Sequence, residues 1–183
     1  PQTIYASNSS FLLTAIPMFI LMSEILRRAN VTEILFDAVT KWIGHIPGGL
    51  AISTVITCAI GASITGSSVA NAASMSIVAA PSMIKRGYDR KFTYGLIAAS
   101  GTLGILIPPS IPMLLYASIT EESIGKLFIS GIVPGLVLVT LLCLYVSIKE
   151  KFIDKTNRKI EKASFAERWV STKKALPALT LPI

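Results

Sequence analysis

Charged residues are missing from two long stretches of the chain, and each stretch is interrupted near its middle. The first covers residues 42–84 and is interrupted by a polar, glycine-containing run at 61–71. A single membrane span needs about 20 apolar residues, so this pattern predicts a helical hairpin with arms at 50–65 and 69–84. Both arms are short for a full crossing, which favours a re-entrant hairpin whose uncharged turn lies partway through the bilayer.

The second uncharged stretch, at 92–120, is interrupted by helix-breaking residues. These are Gly101, Gly104, Pro108, Pro109 and Pro112. The glycines weaken a helix, and each proline removes an amide donor and clashes with the preceding turn. The pattern therefore predicts two half-helices joined by an unwound segment near the middle of the membrane.

Further apolar segments flank these two stretches. A first span is predicted at 11–26, and residues 30–43 place apolar side chains on one face of a helix, which predicts an amphipathic helix on the membrane surface. A last span is predicted at 127–148. It is followed at 149–174 by a basic segment with a rough apolar stripe, which predicts a second interfacial arm.

The composition also indicates a membrane protein. Of 183 residues, 52% are hydrophobic and 15% are charged, against about 25% charged residues in an ordinary soluble domain, and the mean hydropathy is +0.65. The net charge is +7, and an excess of basic residues is common in nucleic-acid-binding proteins. Here the basic residues flank apolar runs instead of a soluble core, so nucleic acid is not an expected partner.

The basic residues also predict the orientation of the chain. Threading the predicted segments in order places sixteen of the seventeen basic residues on one side, and only Lys126 lies opposite, beside Glu121 and Glu122. By the positive-inside rule the crowded side is cytoplasmic. A hairpin that crossed the membrane completely would give the same sidedness, so the charge pattern leaves re-entry open.

The two polar interruptions have a chemistry suited to ions. Carbonyls at the C-terminal ends of half-helices suit Na⁺, whereas amides at N-terminal ends, near Ser68 and Ser110, suit a substrate carboxylate. Neither interruption contains Asp or Glu, which favours Na⁺ coupling over a carboxylate proton relay. The alternatives are that the small residues of the hairpin only pack closely and that the second interruption is only a kink.

An enzyme is not predicted. Residues 66–70 approach the G-x-S-x-G nucleophile motif but lack its closing glycine, and His45 is the only histidine. There is no H-E-x-x-H motif and no phosphate-binding glycine loop. We therefore assign no catalytic residue and expect no cofactor.

An ordered set of motifs resembles the large membrane subunit of the tripartite ATP-independent periplasmic (TRAP) transporters. The motifs are AIPMF at 15–19, GHIPGGL at 44–50, ITGSSVANAA at 64–73, KRGY at 85–88, AASGT at 98–102, IPPSIP at 107–112 and GIVPG at 131–135. No single motif is decisive, but their order is specific, and the resemblance extends to about residue 148.

This resemblance implies a multi-pass protein of the bacterial inner membrane. It implies an all-α, elevator-type secondary transporter that is driven by a Na⁺ gradient and imports an organic acid, such as a dicarboxylate or sialic acid. A soluble periplasmic protein would deliver the substrate, and a small membrane subunit would complete the scaffold. The chain would supply mainly the first of two inverted repeats.

The resemblance also implies a site. Its residues are Ser67, Ser68, Asn71, Gly101, Thr102, Gly104 and Pro108, with Na⁺ bound through Ser67, Ser68, Gly101 and Gly104. Most cation ligands are expected to be main-chain carbonyls. The chain departs from the family at Asn71, where members often have an acid, and at Ile105, at or near which they often have a proline.

The predicted division of the chain follows from these segments. Residues 1–47 and 121–175 would form the scaffold and its arms, residues 48–120 the transport part (hairpin 48–86, broken span 90–120), and residues 176–183 the start of a further span. Two alternative functions stay open. One is a stand-alone Na⁺/dicarboxylate symporter, and the other is a membrane scaffold that does not transport.

Overall fold

Nine helices form within residues 11–152 and 163–180, the part of the chain that this computed structural model describes. They are α1 (Phe11–Arg28), α2 (Val31–Ile43), α3 (Gly49–Thr65), α4 (Ser68–Lys85), α5 (Arg90–Gly101), α6 (Leu103–Leu106), α7 (Ile111–Thr120), α8 (Ile124–Phe152) and α9 (Phe165–Thr180). No strand occurs in the same ranges, so the predicted all-α class is confirmed.

Helix α3 lies at the centre of the structure. It packs against α1, α2, α4, α5, α6 and α8, and most of its residues are buried on every side. Its sequence is apolar all round, as expected for a helix without a solvent-facing side. The main core joins α3 to the facing sides of α4 and α5, with Val55, Met75 and Ile97 almost completely buried.

Two helical segments are long and apolar enough to cross a membrane within the described ranges. One is Arg90–Thr120, which includes the break, and the other is Ile124–Lys151. The outer face of α8 exposes a continuous series of large apolar side chains, including Ile129, Val133, Val137, Leu141 and Leu144. Such a face belongs against lipid or against other protein.

Helix α9 packs along α2 through polar contacts. Trp42 Nε1 donates to Thr172 Oγ1 at 3.0 Å, and Lys41 Nζ donates to Ser171 Oγ at 2.7 Å. Residues Phe165 and Trp169 of the predicted apolar stripe lie on the exposed face of α9. The helix continues past residue 175, where the sequence placed a boundary, while residues 153–162 of the predicted arm and 1–10 and 181–183 lie outside the described residues.

Candidate functional site

The hairpin turn consists of two residues between α3 and α4. Gly66 adopts the left-handed conformation (φ 58°), and its amide donates to the Ala62 carbonyl at 2.9 Å at the end of α3. Ser67 is extended (φ −131°), and its Oγ accepts a hydrogen bond from the Ala70 amide at 3.4 Å at the start of α4. A residue with a Cβ atom would be strained at Gly66, so this glycine sets the geometry of the turn.

Two glycines of the broken span lie against this turn. A Cβ atom on Gly104 would lie 2.8 Å from both the carbonyl carbon of Ser67 and the amide nitrogen of Ser68. A Cβ atom on Gly101 would lie 2.6 Å from Ala72 Cβ and 3.3 Å from the Ser68 carbonyl oxygen. The missing side chains therefore allow the backbone of the broken span to approach the backbone of the turn directly.

A main-chain hydrogen bond joins the turn to the other side of the break. The Ile111 amide donates to the Gly66 carbonyl at 3.1 Å. A Cβ atom on Gly66 would lie 2.9 Å from the Pro109 carbonyl oxygen. The turn is thus held between α6 on one side and the start of α7 on the other, and we call this arrangement the turn–break contact.

Helix ends of both polarities meet at the turn–break contact. The C-terminal end of α3 presents carbonyl groups with partial negative charge, and the N-terminal end of α4 presents amides with partial positive charge. At the start of α7 the Ile111 amide is bonded to the Gly66 carbonyl, and Pro112 has no amide hydrogen. Carbonyl oxygens are suitable ligands for a small cation, and amides at helix starts bind carboxylates. A helix end that presents carbonyls and a helix start that presents amides therefore lie side by side at the contact.

Two buried hydroxyl groups belong to residues next to this contact. Ser110, at the start of α7, and Ser100, in α5, are both fully buried, and neither Oγ has a hydrogen-bond partner within the described residues. A buried hydroxyl without a partner costs roughly 1–3 kcal/mol. Ser110 lies between Pro109 and Ile111, both of which approach Gly66, so the residue is a direct neighbour of the contact.

Four of the seven predicted site residues meet at the contact. Gly101 and Gly104 are buried there, and Ser67 and Ser68 are partly buried opposite them. Pro108 lies in the unwound segment between α6 and α7 and is partly buried.

The other two predicted residues direct their side chains elsewhere. Asn71 is 1% exposed, and its Nδ2 donates to the Cys58 carbonyl at 2.8 Å, so the side chain ties the two hairpin arms together. A Cβ atom on Gly61 would lie 2.7 Å from Asn71 Oδ1, which shows how closely the arms approach. Thr102 is exposed and donates its hydroxyl to the Ala99 carbonyl in its own helix at 2.7 Å.

The set of predicted site residues did not include Thr65, the last residue of α3. Its side chain is buried, and its Oγ1 donates to the Gly61 carbonyl at 2.9 Å and lies 3.4 Å from the Ser67 carbonyl oxygen. Its position directly before the glycine of the turn is the sequence feature from which it could have been predicted.

Two glycines of α8 support the break from the opposite side. The position of a Cβ atom on Gly131 is occupied by the Leu106 carbonyl oxygen and the end of Met113, and a Cβ atom on Gly135 would lie 3.0 Å from Ile107 Cγ1. Small residues four positions apart let a neighbouring segment pack closely against a membrane helix. Helix α8 thereby packs closely against the segment that contains the break.

Comparison with known proteins identifies relatives along the whole chain. The family model described as "Tripartite ATP-independent periplasmic transporter, DctM component" matches residues 1–183. The C4-dicarboxylate TRAP transporter large permease protein DctM of Pseudomonas aeruginosa is 39% identical over 182 residues, which are 98% of this chain and 42% of that protein. The ectoine TRAP transporter large permease protein TeaC of Halomonas elongata is 39% identical over 182 residues, 100% of this chain and 42% of that protein.

A relative with a different named substrate shows the same coverage. The 2,3-diketo-L-gulonate TRAP transporter large permease protein YiaN of Escherichia coli K12 is 35% identical over 182 residues, 100% of this chain and 42% of that protein. The chain thus spans less than half the length of the curated relatives it matches. With a family match over all its residues, the chain belongs to the DctM component family of tripartite ATP-independent periplasmic transporters.

Proposed function

We propose that the chain forms the first-repeat portion of a Na⁺-coupled permease subunit that imports an organic acid across the bacterial inner membrane. The turn–break contact supports the proposal, because the missing side chain of Gly104 lets the broken span approach the main-chain atoms of Ser67 and Ser68 directly. In this proposal Na⁺ binds to oxygens of Ser67, Ser68, Gly101 and Gly104. Ser110 Oγ is a further candidate ligand, because it is buried and no described residue forms a hydrogen bond with it.

The choice of an organic acid rests on the helix starts and on the relatives. The amides at the start of α4 favour a carboxylate. The relatives are named for C4-dicarboxylates, ectoine and 2,3-diketo-L-gulonate, and the first and last of these are acids. Na⁺ is the preferred coupling ion because residues 61–71 and 100–112 contain no Asp or Glu to carry protons.

The proposed mechanism is an elevator movement. The hairpin and the broken span are joined through the Gly66–Ile111 hydrogen bond and the glycine contacts, so they would move as one unit. Helices α2 and α9, linked by their own polar contacts, would brace the stationary scaffold at the membrane surface. A small membrane subunit would complete that scaffold, and a periplasmic binding protein would deliver the substrate.

Transport by the reconstituted system tests this proposal. The full-length permease, with its small subunit and binding protein, is placed in proteoliposomes and assayed for uptake of candidate acids with an imposed or collapsed Na⁺ gradient. We expect uptake that requires both the inward Na⁺ gradient and the binding protein. Uptake driven equally well by a proton gradient alone would contradict the proposal.

Two other outcomes correspond to the alternative functions. Equal uptake without the binding protein would indicate a stand-alone Na⁺/dicarboxylate symporter. No uptake of any acid, together with no stabilisation of the folded protein by Na⁺, would indicate a scaffold that does not transport.

A further inference from the structure

A cavity of about 430 Å³ lies between α2 and α4, on a different part of the molecule from the turn–break contact. Its apolar lining includes Phe36, Leu50, Ile77 and Pro81, and its polar rim is formed by Glu33, Asp37 and Arg86, with Thr40 buried beside them. This volume lies within the range of about 300–1,000 Å³ that is typical of ligand pockets.

The rim carries charges of both signs that are not neutralised by neighbours. Glu33 and Arg86 are exposed at the cavity, and neither side chain forms an ion pair or a hydrogen bond within the described ranges. Asp37, by contrast, is bonded to Lys41 at 2.8 Å and accepts from Ser171 at 3.2 Å. The Thr40 hydroxyl is buried on the same wall and has no partner among the described residues. The cavity thus offers an accessible carboxylate and an accessible guanidinium to one occupant.

The position of the cavity favours an amphiphilic occupant. Helix α2 is amphipathic and has Lys41 and Trp42 in its last turn, residue types that anchor helices at the membrane–water interface. Arg86 follows α4 and belongs to the basic cluster at residues 85–91. Ile77, in the apolar lining, is 75% exposed, so the apolar part of the cavity is open on that side. A charged rim next to an open apolar surface, between an amphipathic helix and a hairpin arm, matches a phospholipid better than a soluble ligand.

We propose that this cavity binds a phospholipid with a primary-amine headgroup, such as phosphatidylethanolamine. The Arg86 guanidinium would hold the phosphate, the Glu33 carboxylate would accept hydrogen bonds from the ammonium group, and an acyl chain would follow Ile77 and Pro81. A choline headgroup has the same charges but no N–H donor, and a glycerol headgroup has no cation. The bound lipid would fill the space between the amphipathic helix and the hairpin arm.

Native mass spectrometry of the full-length, delipidated permease tests this proposal. The protein is titrated with phosphatidylethanolamine, phosphatidylcholine and phosphatidylglycerol that have identical acyl chains. We expect retention of the ethanolamine lipid to exceed that of the choline lipid by about fivefold or more, as for an ion pair strengthened by hydrogen bonds. Glu33→Gln is expected to abolish this preference, and Arg86→Gln is expected to weaken retention of all three lipids.

Matched variants identify the site. Glu122→Gln and Arg90→Gln remove the same charges from exposed residues outside the cavity, so they are expected to leave lipid retention unchanged. Equal retention of the ethanolamine and choline lipids would overturn the proposal, as would a Glu33→Gln protein that behaves like Glu122→Gln. Cross-linking of residue 33 or 86 to a protein segment, with no lipid retained, would also overturn it. Retention is measured without transport, so it can fail or succeed independently of the proposed transport function.

Discussion

The carbonyl of Gly66 accepts a hydrogen bond from the amide of Ile111, which joins the turn of the hairpin to the unwound segment of the neighbouring broken span. Neither group can form a regular helical hydrogen bond at its own position, because one lies just after α3 and the other begins α7. Each group therefore supplies the hydrogen-bond partner that the other lacks in its own helix. The polar backbone groups left by the two interruptions therefore lie in one place. The close approach of Gly104 to this turn is the feature that a single substitution would disturb most directly.

Gly104→Ala tests whether uptake depends on that approach. The new methyl group would lie 2.8 Å from main-chain atoms of Ser67 and Ser68, so the broken span must move away from the turn. We expect uptake to fall by roughly 10- to 100-fold, because a displacement of about 1 Å is enough to disrupt a precisely arranged site. Uptake into proteoliposomes at saturating Na⁺ and substrate measures the effect.

Gly95→Ala is the matched control, since a Cβ atom on Gly95 meets no atom of the described residues within 4 Å. This substitution in α5 is expected to leave uptake unchanged and to stabilise the helix by up to about 1 kcal/mol. Normal uptake by the Gly104→Ala protein would show that the contact is not part of the transport site.

Ser68 provides a comparison between its amide and its side chain. Ser68 is the first residue of α4, a position where proline is compatible with a helix, so Ser68→Pro should insert normally. Its ring would nevertheless remove the amide donor and occupy space beside Gly104, and we expect uptake to be abolished. Ser68→Ala keeps the main chain and should retain most uptake. Equal losses in the two variants would assign the function to the hydroxyl instead, and membrane insertion is checked by the yield of folded protein.

Asn71 is expected to affect stability more than ion affinity. Asn71→Ala removes the donor to the Cys58 carbonyl inside the hairpin and should lower the free energy of unfolding by about 1 kcal/mol. The Na⁺ concentration for half-maximal uptake should stay the same, because the side chain points between the arms. Ser76→Ala is a suitable control, since the Ser76 hydroxyl bonds to the Ala72 carbonyl in its own helix. A higher Na⁺ concentration for half-maximal uptake by the Asn71→Ala protein would indicate that Asn71 contributes to the proposed ion site.

Much of the helical arrangement could be predicted from the sequence, because charge-free stretches and helix breakers have direct physical meaning. The predicted hairpin arms at 50–65 and 69–84 correspond to α3 and α4 within one residue at each end. The glycine and proline interruption also separates α6 from α7 where expected, although α6 is a short additional turn after Thr102. Intrinsic backbone preferences decide these features, so local sequence is sufficient.

The orientation of individual polar side chains could not be predicted in the same way. Asn71 and Thr102 lie in the right segments, but Asn71 turns into the hairpin and Thr102 bonds to its own helix. Hydroxyl and amide groups in an apolar environment form hydrogen bonds to nearby main-chain carbonyls, and the tertiary packing determines which carbonyl is within reach. Contacts through glycine, as at Gly101 and Gly104, depend less on rotamers, and these residues do meet the turn.

The contact between α2 and α9 gives a prediction about dynamics. Trp42→Phe keeps the aromatic ring but removes the Nε1 donor to Thr172. We expect amide hydrogen exchange in α9 to become about 2- to 10-fold faster, the effect of losing one hydrogen bond on local opening. Trp169→Phe, at an exposed position on α9 itself, is the control and should leave the exchange rates unchanged. Unchanged exchange in both variants would show that other contacts hold α9.

Binding of Na⁺ should be measurable without transport. A ligand that binds only the folded state raises stability by mass action, by about 2.7 kcal/mol at a concentration 100 times its dissociation constant. We therefore expect the melting temperature of the full-length permease in detergent to rise with NaCl and not with KCl or choline chloride at equal ionic strength. Gly104→Ala should lose this Na⁺-specific rise, whereas Gly95→Ala should keep it, because only the first substitution separates the main-chain groups of the turn–break contact. A rise of equal size in all three salts would reflect ionic strength alone and would remove the physical basis for Na⁺ coupling at this site.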